Sequence, residues 1–287
     1  MAAAKTRKRV NSSKTGSTNA ALTGGLLGAL VLLVIALAGL FAPWIAPGDP
    51  LNMVARPLTV PFTDMRFPLG TDQLGRNVFA GLVHGARVSI LVGCAAAGTA
   101  LGVGIVVGTL AGFAGRRVDD GLMRITEAFQ TVPTFLLALA LVSVLGSSAA
   151  NVVIAIGISS WPPAARLVRA EVLRLKGADY VDAARLAGRA PLAIAFLEVL
   201  PGALQPVIAL IGITVGEAVL VESALAFLGL SDPNLVSWGD MIANGRAQLR
   251  TAPYLVVIPG LAIATLVLAV SLAGDGLAQR LGLQARK

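Results

Sequence analysis

One histidine (His84) and one cysteine (Cys94) bound what this 287-residue chain can catalyse. A disulfide needs two cysteines, and a structural zinc site needs about four Cys or His ligands, so neither can be built. A Ser–His pair inside a membrane is also excluded, because His84 falls in a connection between apolar segments. Of the five lysines, only Lys5 and Lys14 precede Thr, and neither follows the glycine of a phosphate-binding loop. The chain therefore has no route of that kind to ATP hydrolysis. Two other sets of polar residues remain. One is Glu127, Gln130, Glu217 and Glu222, in or beside apolar stretches, where a carboxylate is costly and points to function. The other is the run DAARLAG at 182–188, followed by Leu200-Pro201.

These residues must be positioned by elements suited to lipid. The chain is 56% hydrophobic and 13% charged, with mean hydropathy +0.80; a soluble domain has about 25% charged residues. Roughly 20 apolar residues cross a bilayer core as a helix. Six stretches qualify: about 21–41, 88–113, 122–145, 150–168, 202–220 and 254–273. The first follows Lys5, Arg7, Lys8, Arg9 and Lys14, but exceeds the 7–15 residues usual for a signal-peptide core and lacks a convincing cleavage site. It reads as an uncleaved anchor. Basic residues cluster in the N-terminal tail, around 116–124, through 166–189 and at the C-terminus, and are sparser in the other connections. The positive-inside bias predicts both termini in the cytoplasm. The net charge of +8 is thus mostly an orientation signal, with no nucleic-acid partner.

The expected organisation is a flexible basic tail (1–20), a first transmembrane helix (21–41) and an extracytoplasmic connection (42–86). A five-helix core (87–280) follows, with a cytoplasmic insert at 169–201, then a short cytoplasmic tail (281–287). Gly98, Gly102, Gly104, Gly108 and Gly112 form GxxxG pairs suited to close helix packing. Trp161-Pro162-Pro163 should kink the fourth span. Leu74 to Arg87 carries a helical apolar stripe suited to the outer interface. Glu127 is expected to pair locally with Arg124. Glu217 is a candidate pore-lining residue, with an interhelical contact as the alternative.

The 182–201 spacing decides between classes. Asp182-Ala183-Ala184, three residues, Gly188, nine residues, Glu198, one residue, then Leu200-Pro201 resembles the EAA-x3-G-x9-I-x-LP signature of ATP-binding-cassette (ABC) importer permeases. Asp182 replaces the usual Glu, and Glu198 stands at the Ile position. Segments 68–93, 124–141, 161–188, 222–242 and 252–277 resemble the dipeptide/oligopeptide/nickel permease family, with Asn77 where an Asp is frequent. The resemblance implies an all-α membrane protein of the type I ABC importer permease fold. It implies four kinds of partner: a homologous second permease, two ABC ATPase subunits (or a fused one), an extracytoplasmic binding protein and the lipid bilayer. This chain would bind no cofactor or metal and have no catalytic residue; ATP and Mg would serve the ATPase partners. Asp182, Ala183, Ala184, Arg185 and Gly188 would form a helix seated on an ATPase, with Leu200 and Pro201 returning the chain to the membrane. On the residues alone, Ala183, Ala184 and Ala187 make a slim surface, Gly188 permits a turn or a close approach, and Pro201 favours a new helix start. The expected substrates are di- and oligopeptides. Nickel or another small solute is the rival within the family, and a transporter or channel not driven by ATP is the rival outside it.

Overall fold

The computed structural model describes residues 23–280; the expected tails at 1–20 and 281–287 lie outside them. Every regular element among the described residues is helical. These are α1 (Thr23–Leu40), α2 (Val78–Phe113), α3 (Arg116–Thr131), α4 (Thr134–Leu145), α5 (Ala149–Ser160), α6 (Pro162–Leu175) and α7 (Asp179–Leu186). They continue with α8 (Pro191–Ala203), α9 (Gln205–Phe227), α10 (Trp238–Gly245) and α11 (Tyr254–Arg280). By length and composition α1, α2, α9 and α11 can each cross a membrane, and α3 with α4 can form a fifth, broken span. The expected fourth span is divided into α5 and α6, each too short to cross alone.

Helix α2 begins ten residues before the expected second span. Asn77 caps it, its side chain accepting from the amides of Phe79 (3.0 Å) and Ala80 (3.5 Å), as an N-cap Asn or Asp does. The Leu74–Arg87 stripe expected at the outer interface is therefore largely the first turns of α2. At 36 residues and 1.5 Å per residue, α2 is about 54 Å long, beyond a bilayer core of about 30 Å.

Glycine spacing sets how closely α2 meets α6. A Cβ added at Gly104 would lie 2.5 Å from the Ala164 Cβ, and one at Gly108 would lie 2.4 Å from the Ala165 carbonyl. Gly112 likewise meets Val172. Gly98 and Gly102 face open space, so only part of the expected glycine pattern packs within the chain. The same device joins α1 to α11 at Gly25 and Gly276, and α9 to α11 at Gly212 and Gly274.

The α3–α4 bend of 87° falls at Val132-Pro133. Val132 is extended (φ −100°, ψ 129°), the conformation a following proline imposes. Between α5 and α6, buried Trp161 meets Phe129 edge-on at 5.3 Å, and Pro162 opens α6 where its missing N–H costs least. In α8, Ile194–Val199 widens into a π-turn and helix continues through Pro201. Pro201 is thus not the helix start expected of it. The interruption comes at Leu204, before Pro206.

Candidate functional site

The helix α7 projects from one end of the bundle with a single deep root. Val181 is fully buried in a cluster with Val168, Val172, Ile194, Val199 and Val207, and Ala184 packs partly against it. Asp182, Ala183, Arg185 and Gly188 are exposed. Tyr180 is 44% and Leu186 90% exposed, and Leu192 and Leu197 continue an apolar surface at 62% and 67%.

Gly188 ends α7. Its φ is +74°, and its amide donates to the Arg185 carbonyl at 3.0 Å while the Arg189 amide donates to Ala184 at 3.2 Å. That is the Schellman closure, which requires a left-handed residue. A Cβ at Gly188 would meet nothing, so backbone conformation, not crowding within this chain, demands glycine. Charges brace the segment. Arg185 pairs with Asp182 one turn away at 2.8 Å, and Arg189 pairs with Glu198, which gives the off-pattern Glu198 a structural partner. Lys176, just before α7, donates to the Phe113 carbonyl at 2.8 Å and lies over that ring, tying α6 to the end of α2. Leu200 packs into the Val181 cluster, while Pro201 is exposed.

The neighbouring acidic residues differ from expectation. Arg124 and Glu127 form no ion pair among the described residues; they line a cavity of about 450 Å³ with Asp120, Arg166 and Arg169. The bridges run between helices instead, Arg169 to Asp119 (2.7 Å) and Arg166 to Gln130 (2.7 Å). Glu217 is exposed on α9, on a face shared with Ile213 (60%) and Leu220 (50%) that this chain leaves uncovered. Glu222 is buried, accepting from the Ser223 hydroxyl.

The opposite end is closed by a polar lattice. Thr71 is fully buried, its hydroxyl donating to Arg56 at 2.6 Å, and the Tyr254 hydroxyl bonds the Thr71 carbonyl at 2.7 Å. The Trp238 indole donates to Leu82 at 2.8 Å, and the His84 ring contacts the Ala46 carbonyl at 2.9 Å, a structural use of the lone histidine. Two aspartates, Asp232 in the loop before α10 and Asp240 in its first turn, diverge. The Asn234 amide holds the Asp232 carboxyl below its ordinary range, whereas burial pushes Asp240 up.

Sequence reasoning located α7 but missed Val181, Lys176 and the apolar knobs. Val181 and Ala184 stand three apart, a helical signal that a two-turn segment expresses weakly.

The chain belongs to the family of binding-protein-dependent transport system inner membrane components, whose model matches residues 104–283. It is 42% identical to a di/tripeptide transport system permease protein of Pseudomonas aeruginosa, over 88% of this chain and 86% of that one. It is 36% identical to a glutathione transport system permease protein of Pectobacterium atrosepticum, over 87% of this chain and 83% of that one. The fold matches an inward-facing MetNI methionine ABC transporter chain at TM-score 0.57 and 18% identity, covering 70% of this chain and 96% of that one. The protein is a multi-pass inner-membrane permease subunit of an ABC importer, with the type I fold.

Proposed function

We propose that this subunit imports di- and oligopeptides, forming the translocation path with a homologous permease. Two ABC ATPase subunits, or a fused one, sit beneath it, and an extracytoplasmic binding protein delivers substrate. Both termini are cytoplasmic, and the chain crosses the membrane six times, with α3–α4 and α5–α6 as broken spans. The permease names of its relatives support the peptide class; the basic clusters support the orientation.

The observation that carries the coupling role is the exposure of α7 around one buried root. Asp182, Ala183, Arg185 and Gly188 present the contact surface, and Ala184 fits the helix against the bundle. Leu200 and Pro201 carry motion back toward α9. ATP with Mg bound in the partner closes the ATPase pair. Because α6 and α8 meet α7 at the Val181 cluster, a displacement of α7 moves both. Glu217, on the uncovered face of α9, lines the path and can meet a peptide amine.

The test is the reconstituted complex with its binding protein, assayed for ATPase stimulation and uptake across peptides and metal ions. Stimulation by short peptides supports the reading; stimulation by nickel alone transfers it to a metal substrate. Failure of ATPase subunits to co-purify overturns the class of partner proposed.

A further inference from the structure

We propose that a cleft at the end remote from α7 is a docking site for the free carboxyl terminus of a transported peptide, with Arg87 as its receptor. The proposal rests on the peptide-import reading above. The cleft lies between the outer part of α2, the turn after α1 and the loop before α10, and has a volume of about 470 Å³. Sites for small ligands commonly span about 300–1,000 Å³.

Arg87 is the one charged residue of α2. It is exposed and has no ion pair or hydrogen bond among the described residues. It stands in the outer part of an otherwise apolar helix, where its guanidinium is free to meet an anion. Its backbone is held in place, since a Cβ on Gly39 of α1 would fall 2.9 Å from the Arg87 amide nitrogen. Asp49 lines the same cleft, its carboxylate set by accepting the Leu51 amide at 2.9 Å. Leu91, Leu235 and Val236 supply apolar wall. One cation, one anion and an apolar wall match a peptide's carboxylate, ammonium and side chains. A guanidinium binds a carboxylate through two parallel hydrogen bonds. A lipid phosphate shares the anionic chemistry, but Asp49 opposes a second anion there.

The experiment uses the full transporter with its binding protein in liposomes, at saturating tri-alanine, and reads peptides moved per ATP hydrolysed. Arg87→Ala should lower this ratio about tenfold, Arg87→Lys should recover part of it, and Asp49→Asn should lower it a few-fold. The Arg87→Ala loss should be equal in purely zwitterionic liposomes and in liposomes with anionic lipid. A loss confined to anionic liposomes makes the ligand a lipid and overturns the proposal. So does an unchanged ratio in Arg87→Ala with normal wild-type peptide uptake, which leaves the peptide reading standing. A wild-type complex that moves no peptide overturns both.

Discussion

Gly188 and Val181 act on α7 by different physical means. The left-handed Gly188 (φ +74°) means that Gly188→Val should strain the turn by about 1–2 kcal/mol, while Gly188→Asn should be milder because Asn tolerates that region. Uptake and ATPase co-purification should fall in the order Asn then Val; equal loss for both would show that surface bulk, not backbone conformation, matters. Val181→Ala removes two methyl groups from a fully buried site, a cost of about 1.6 kcal/mol at 0.8 per carbon. It should lower the melting temperature of the purified complex and leave the exposed surface of α7 unchanged. The glycine was legible in the sequence because its spacing ends a short helix. The partner of Glu198 was not, since Arg189 reaches it only after the chain has turned back through α8.

Among elements, the α2–α6 seam separates two kinds of glycine. Gly108→Val would drive a side chain into the Ala165 carbonyl and the Val168 Cβ, and should destabilise the isolated subunit strongly, by about 1–3 kcal/mol or more for overpacking. Gly102→Val meets nothing within the chain and should leave the subunit's melting temperature nearly unchanged. Thermal unfolding of the two purified variants checks this, and equal destabilisation would contradict the packing described. Periodicity marked both glycines alike, because a GxxxG pattern states spacing on one helix and not which neighbour lies opposite. The π-turn in α8 was hidden for a related reason. A proline inside a helix predicts a disturbance, but whether the chain breaks or widens depends on the packing around Val199 and Ala203.

For the whole molecule, an N-in, C-in orientation predicts that a C-terminal reporter active only in the cytoplasm is active, and that one active only outside is silent. Glu217→Gln should reduce uptake of peptides with a free amine if Glu217 lines the path, measured as transport rate at saturating binding protein; unchanged transport would remove it from the path. The sequence by itself determined that the chain is a helical membrane protein, where its long apolar segments lie and where its short charged helix falls. Those properties follow from local composition and from spacing along the chain, which lipid and helix geometry read directly. Only the tertiary structure decided which glycines touch, that the third span bends at Pro133, that Arg124 and Glu127 form no ion pair among the described residues, and that Val181 is the fully buried root of α7. Each of these depends on residues far apart in sequence meeting across helices, and the energy of such contacts belongs to pairs of surfaces rather than to either segment.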